Sequence, residues 1–531
     1  MRPFVFLVAV VAACSLAACG GGQPIVPPPP SGGFLNTSLT GHYAFSMTGA
    51  SANCSPGVSC GAYVARVGSF FADGSGNITA AIEDVVDLGS GLPPVLVTFV
   101  SGVYSIQPNG RGVIALQASD GGILQLNLTM QSSSQGFLVE TDLRATTSGS
   151  FNLQTTADFA TTAIKNNYAF DFSGVSFSAT SAAPISILGQ IVTDGAGNIT
   201  GGTQDVNDGN ASAPAGPLPV PPGTYQLDSG ATGTNFGRAT MTLGTRSFVF
   251  YIVDTTHLKL LEEDSLGGTS GEALQQSANL PVQNSSFSGS FAFLLGGNQT
   301  SGTTGPLARA ARFTSDGNGG IGAISFDSNS NGNVVRISQG SNISAATYAI
   351  DSSLPGSGRG TFTFTASGQG TFQYVFYLIS PAQGFVQETS KGVIGDGALL
   401  AQTGGPFALS GTAGNYAFSW TGVALPTSGG IPFDENFVGQ YVLSTGSSNN
   451  MSGVVDYTQL GLSADSFFTN VGVAGTLTIK NDGTVANNMR VALGGSSTTT
   501  INFAAYIVNS QTMILLSTDN MHVTAGFALR Q

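Results

Sequence analysis

The stretch Tyr43-Ala44-Phe45, with Gly49 four residues on, decides how this chain is read, because it occurs four times. It returns as Tyr168-Ala169-Phe170 with Gly174, as Phe291-Ala292-Phe293 with Gly297, and as Tyr416-Ala417-Phe418 with Gly422. The first aromatics lie 125, 123 and 125 residues apart, the period of a whole domain and not the roughly 20 to 50 residues of a solenoid unit. The 531-residue chain is therefore expected to hold four tandem β-repeats of about 124 residues, at 35–157, 158–281, 282–405 and 406–531.

Each repeat reads as about eight strands. In the first they fall at roughly 41–49, 63–72, 77–85, 95–106, 111–118, 123–131, 136–143 and 149–155. Leu124, Leu126, Leu128 and Met130 alternate with Gln125, Asn127 and Thr129, the period of a half-buried strand. The turns are explicit: Asp73-Gly74-Ser75-Gly76-Asn77 returns as Asp194-Gly195-Ala196-Gly197-Asn198 and Asp316-Gly317-Asn318-Gly319-Gly320, and Asp-Gly with a second Gly supplies the positive φ of tight hairpins. No stretch carries a helical period, so the fold class is all-β. An eight-stranded meander loses its edges by closing on itself, which predicts four up-and-down antiparallel β-barrels. The last strands, ending at Gln154, Gln275, Gln402 and Gln531, then pair with the first. An immunoglobulin-like β-sandwich is the alternative. With the opening Gly41-His42-Tyr43, the strand count resembles the plan of lipocalins and avidin; that resemblance carries no ligand with it.

The sixth strand departs from alternation in three repeats. Phe248-Val249-Phe250-Tyr251-Ile252-Val253, Tyr374-Val375-Phe376-Tyr377-Leu378-Ile379 and Phe503 to Val508 are apolar on both faces, so the outer face is expected to pack on a neighbouring repeat. The first repeat alternates there and reads as the freer end.

The N-terminus is a targeting segment: Arg2, an apolar stretch from Phe4 to Ala13 too short to span a bilayer, then Leu16-Ala17-Ala18-Cys19-Gly20. Those residues resemble the bacterial lipobox. The resemblance implies cleavage before Cys19, leaving residues 1–19 as signal peptide and lipobox, and diacylglyceryl attachment at the Cys19 thiol, where buried methylenes contribute ~0.8 kcal/mol each. Gly20 after the cysteine, in place of an acidic residue, favours the outer membrane, on either face. Residues 20–34, with Pro27-Pro28-Pro29-Pro30, form a semi-rigid tether. Cys54 and Cys60, in the first repeat alone, are expected to pair as a small-loop disulfide in an oxidising envelope.

Charged residues make up 8% of the chain, against roughly 25% in ordinary globular proteins. The formal charge of −13 with 16 Lys and Arg excludes nucleic acid as a natural partner. Within so few charges, three positions recur. An acid closes strand three (Asp84, Asp205, Asp327, Asp456), an arginine is placed at the opening of strand five (Arg111, Arg238, Arg359, Arg490), and a carboxylate ends strand seven (Glu140, Glu262, Glu388, with Ser517 in the fourth repeat). The arginines read as structural, facing the Asp73-type turn or stacking on Tyr43 and its equivalents. The acids are expected to share a rim, as structural groups or as ligand or ion sites. Paired carboxylates are the machinery of glycoside hydrolysis, but the fourth repeat lacks the second acid, and no nucleophile or zinc motif is present. The chain is therefore read as no enzyme, with no cofactor and no metal centre. Ca²⁺ at the Asp73-type turns stays open as weak binding, although Ile78 stands where a calcium loop needs Gly.

Together these features predict a lipid-anchored, non-catalytic envelope protein. Its work is multivalent binding, with a glycan, the matrix or a protein as partner, or structural scaffolding. A carrier of small apolar ligands inside the barrels is the alternative, and it requires interiors not filled by Tyr43, Phe45, Tyr104 and Leu126. Hydrolysis at an acidic rim is the remaining reading.

Overall fold

The computed structural model describes residues 33–52, 61–142, 144–179, 181–229, 235–338, 343–425, 432–446, 450–460, 466–491 and 499–531. The signal peptide, nearly all of the tether and both Cys54 and Cys60 lie outside them. The fold is all-β and built from repeated eight-stranded antiparallel barrel units. In the first barrel the strands Thr40–Ala50, Tyr63–Asp73, Asn77–Asp87, Val95–Ile106, Arg111–Ala118, Ile123–Met130, Gln135–Glu140 and Ser148–Leu153 each pair with the next, and the last returns to the first. The fourth barrel, Gly414–Ala424 through His522–Arg530, closes the same way. Among the described residues the one α-helix is the single turn Leu409–Thr412, and no helix is long and apolar enough to cross a membrane.

The middle repeats depart from eight strands at one place. Strand four of the second repeat is split into Ala215–Pro219 and Gly223–Leu227 around Val220-Pro221-Pro222, where prolines cannot donate to a ladder. Asn198 and Ile199 pair with Thr224 and Gly223 and still close that barrel. In the third repeat strand four is Asn333–Ile337 and Ile343–Ile350, and closure rests on the bridge Gly320 to Thr347.

The repeated motif now has a physical account. Tyr43 and Phe45 point inward and are fully buried, while Ala44 points outward and is equally buried. Phe45, Phe170 and Phe418 lie opposite Gly68, Gly189 and Gly439 on strand two. A Cβ at Gly68 or Gly189 would meet that ring at 2.6 Å. Gly49, Gly174, Gly297 and Gly422 let the backbone of strand eight approach, since a Cβ on any of them would lie 2.1 Å from a carbonyl oxygen there.

The outward alanine is buried because the barrels pack in a ring. The outer face of the sixth strand in the second barrel (Val249, Tyr251, Val253) lies on Ala44, Val67 and Val86 of the first. Val375, Tyr377 and Ile379 of the third lie on Ala169 and Leu188 of the second. Ala504, Tyr506 and Val508 of the fourth lie on Ala292 and Ala310 of the third. The fourth barrel then meets the first: Gln531 donates to the carbonyls of Asn109 and Met130 at 3.1 and 2.7 Å. The first repeat is therefore not a free end. Its alternating sixth strand turns Asn127 and Thr129, both buried, to the outside beside the fourth barrel.

Candidate functional site

The recurring aspartates sit on outward positions of strand three, and the structure brings them to the arginines of the following barrel. Asp84 accepts from both arms of Arg238 at 2.7 and 2.8 Å and from the Tyr251 hydroxyl at 2.7 Å. Asp205 repeats this with Arg359, at 2.8 Å twice, and Tyr377, at 2.7 Å. Burial by itself lowers both guanidiniums, but the bidentate carboxylates outweigh it and hold them above their ordinary value. Burial, and then the neighbouring aspartate, pushes the Tyr251 and Tyr377 hydroxyls up, so they stay neutral donors. Across the closing contact Arg111 of the first barrel donates to Asp456 of the fourth, and to Asn470 at 2.7 Å. Thr129 stands where the other sixth strands carry tyrosine.

Arg490 does not share this place. It is the next-to-last residue of strand Thr484–Val491, and its side chain lies outside the described residues. Thr484 occupies the arginine position, opposite Tyr506 as Arg238 is opposite Tyr251. Asp327 is served instead by Tyr506 at 2.6 Å and by Arg336 of its own barrel at 2.6 Å. The expected stacking of the arginines on the opening aromatics is also corrected: Arg111, Arg238 and Arg359 reach an aspartate of the neighbouring barrel, while Arg238 and Arg359 keep a second contact to Asp228 and Asp351 of their own, at 3.1 and 2.9 Å.

The second set of acids faces the opposite way, into the barrels. Glu140 takes a bidentate contact from Arg66 at 3.1 Å, and the same guanidinium reaches Glu83 at 2.8 Å. Glu262 pairs with Arg246 and accepts from Thr269 at 2.8 Å; Glu388 pairs with Arg309. Burial raises all three carboxyls, against the pull of the arginines. In the fourth barrel Ser517 bonds the His522 carbonyl at 2.7 Å, and Glu435 bonds the His522 ring at 2.8 Å. Asp205 and Glu262 thus lie on opposite faces of the barrel wall, and the shared acidic rim does not form. The strand-two arginines Arg66 and Arg309 were legible as a repeat, since each opposes the second residue after the Phe of the motif, Met47 and Leu295.

At the hairpins Asp73 accepts from the Ser75 and Asn77 amides at 2.7 and 3.0 Å and from the Asn77 side chain at 2.7 Å. The carboxylate is committed to the turn. Among the described residues no group of three metal-ligating side chains exists.

The barrel interiors are filled. Tyr43, Phe45, Tyr104 and Leu126 all belong to the first core, and the other three are as aromatic. This overturns the carrier reading. Space lies instead between the barrels. A central chamber of about 540 Å³ is lined from all four barrels, by strands one and eight of the first, third and fourth and strand eight of the second, including Ser46, Ser270, Leu294, Asp396 and Thr421. It shares Thr48, Gly296, Asp396 and Thr421 with a mouth of about 1330 Å³ lined mainly by the first three barrels. On its wall Lys259, fully buried, crosses from the second barrel to Ser46 and Ser150 of the first at 3.2 and 2.9 Å, and to Glu272 at 2.7 Å. Burial raises Glu272, but Lys259 and then His257 outweigh it and hold that carboxyl below the ordinary range.

No protein-family model matches the chain, and no curated protein matches it. Among solved structures it is similar to a mutant of transferrin binding protein B from Haemophilus parasuis, at 10% identity over 96% of this chain and 100% of that one, with a TM-score of 0.19. Intact Ap-TbpB matches at 9% identity over 76% and 86%, TM-score 0.19. The protein from serogroup B Neisseria meningitidis matches at 12% over 75% and 84%, TM-score 0.18. At those TM-scores the likeness carries no functional argument.

Proposed function

We propose that this chain is a non-catalytic envelope protein, lipid-anchored at Cys19, that presents one rigid four-barrel ring as a binding or scaffold module. The carrying observation is the closing contact of Arg111 with Asp456 and of Gln531 with Asn109 and Met130, which joins the last barrel to the first. Four tethered modules acting by avidity need free outer faces. Here the outward faces of strands one to three and six are spent on neighbours, so recognition falls to the rims and the central channel. The low charge and hydroxyl-rich surface suit an extracellular or periplasmic face. The two acid sets, on opposite faces of the wall and each tied to arginine or tyrosine, leave no carboxylate pair for hydrolysis.

Two measurements test this. Replacement Cys19→Ser is expected to move the protein from the membrane pellet to the soluble fraction and to abolish labelling by radioactive palmitate. Limited proteolysis is expected to trim the tether and leave a single fragment carrying all four repeats. Four separate domain-sized fragments would overturn the ring as the functional unit.

A further inference from the structure

The central channel carries chemistry that ring packing does not require. Asp171 of the second barrel and Asp396 of the third stand at the inner end of their joint, close enough for one carboxyl to hydrogen-bond the other. Asp171 Oδ1 and Asp396 Oδ2 are both buried without a hydrogen-bond partner. The equivalents of Asp171 are Ser46, Leu294 and Ser419, so three of four repeats do without the acid. Two carboxyl groups placed together in a wall need a shared proton or a cation between them. The other acid of the chamber lining, Glu272, is neutralised by Lys259, which leaves Asp396, raised by burial and in reach of Asp171, Ser186 and Ser173, as the lining carboxyl with no basic partner.

The passage is open. A Cβ on Gly296, where chamber meets mouth, would find nothing within 4 Å. The mouth changes character: Leu88, Leu92, Phe177 and Ile394 line it, with Leu92 72% and Phe177 40% exposed, unusual values for large apolar side chains. Hydroxyls and a carboxylate inside, with aliphatic and aromatic groups at the entrance, select a ligand polar at one end.

We propose that the channel is a binding site for one organic cation per chain, a primary ammonium carrying an apolar arm, with the ammonium at Asp396 and the arm along the mouth. The inference rests on the ring reading, since the site exists only where the barrels meet, but it is independent of the lipid anchor. The Asp396 carboxylate gives the charge-assisted bond, and the Ser46 and Ser270 hydroxyls on the same lining are further acceptors.

The test uses the whole chain bearing Cys19→Ser, with hexylammonium chloride as probe and 1-hexanol and sodium hexanoate as controls, followed by calorimetry and native mass spectrometry. One hexylammonium per chain is expected, bound at least about tenfold tighter than hexanol, with no hexanoate. Asp396→Asn, which keeps the side-chain shape, is expected to erase that preference. Gly296→Phe, which fills open space, is expected to block the probe while melting within a few degrees of the parent. Binding that survives Gly296→Phe places the ligand elsewhere and overturns the site. Equal binding of hexylammonium and hexanol, or a preference untouched by Asp396→Asn, overturns the cation. No binding at all marks the channel as a solvent-filled gap and leaves the ring and its anchor standing.

Discussion

Three joints of the ring are linked by the chain, and one is not, and they are built from different materials. At the linked joints an apolar sixth strand lies on alanines and aliphatic residues of the preceding barrel. At the seam between the fourth and first barrels the receiving face is conserved in kind: Ala417 and Val438 stand where Ala44 and Val67 do, fully buried. What differs is the incoming strand, which presents Asn127 and Thr129. Specificity there comes from directed bonds. Thr146 donates to Asp434, Ser148 and Asn436 bond each other, and Asn436 reaches the Thr146 carbonyl, each at 2.6 Å. Linked joints are held by area removed from water, which is non-directional; the seam is held by directed bonds, which fix register at little net gain per bond, and it leaves Thr129 Oγ1 and Arg111 Nε buried without a partner.

The comparison is most sharply broken at a linked joint. Asp205→Ala takes the bidentate carboxylate from Arg359 and leaves it Asp351 alone, at 2.9 Å; breaking a buried pair costs ~3–5 kcal/mol, and the remaining acid puts the expected loss at the lower end, ~3 kcal/mol. Equilibrium denaturation is expected to show that loss, and a loss below ~1 kcal/mol would mean that water reaches the joint. The seam responds to pH. Burial pushes the Asp434 carboxyl up to about 7. The folded protein keeps that proton where the unfolded chain releases it near pH 4. Its contribution is therefore fully present below that value and lost as pH climbs toward 7. Melting temperature is expected to fall across that window, and Asp434→Asn to flatten the fall.

Arg111→Gln tests the seam as a soft joint. Because the apolar area at the seam is confined to the receiving face, Ala417 and Val438, against Asn127 and Thr129, water reaches Asp456 when the Arg111 side chain is shortened, so the expected cost is ~1–2 kcal/mol, short of Asp205→Ala. Hydrogen exchange is expected to quicken in strands 111–118 and 123–130 and to leave 246–254 unchanged. A global loss equal to that of Asp205→Ala would erase the distinction. The smallest effect belongs to the joint between the third and fourth barrels. Arg336 is half exposed, so Arg336→Ala is expected to cost ~0.5–1 kcal/mol. Adding Thr484→Arg, which restores the arginine of the other joints, is expected to recover it.

Much of this architecture was legible. The Tyr-Ala-Phe repeats, the Asp-Gly hairpins and the doubly apolar sixth strands point to four closed meanders that pack on each other. The acids and arginines were legible as recurring positions but not as partners, because each pair joins different repeats. Asp84 to Arg238 and Asp205 to Arg359 are both 154 residues apart, one repeat plus the offset between strands three and five. That constant separation was the available signal. Arg490 misled because chemistry was matched where register should have been: Asp482-Gly483-Thr484 aligns with Asn109-Gly110-Arg111, and Gly483 and Gly110 share a positive φ of 85° and 84°. The central channel left no trace in one-dimensional pattern, since its lining alternates with core residues on strands already explained by their inner faces.

The polar outer face of the strand Ile123–Met130 has a further consequence, in time. Domains fold in the order they emerge. The apolar sixth strands of the second, third and fourth barrels each find a finished barrel waiting to cover them. The first barrel's sixth strand has no such cover until the fourth is complete, some 400 residues later, or tens of seconds at about 5–20 residues per second. An apolar face left bare for that interval would invite pairing with other chains. A face of Gln125, Asn127 and Thr129 can wait in water.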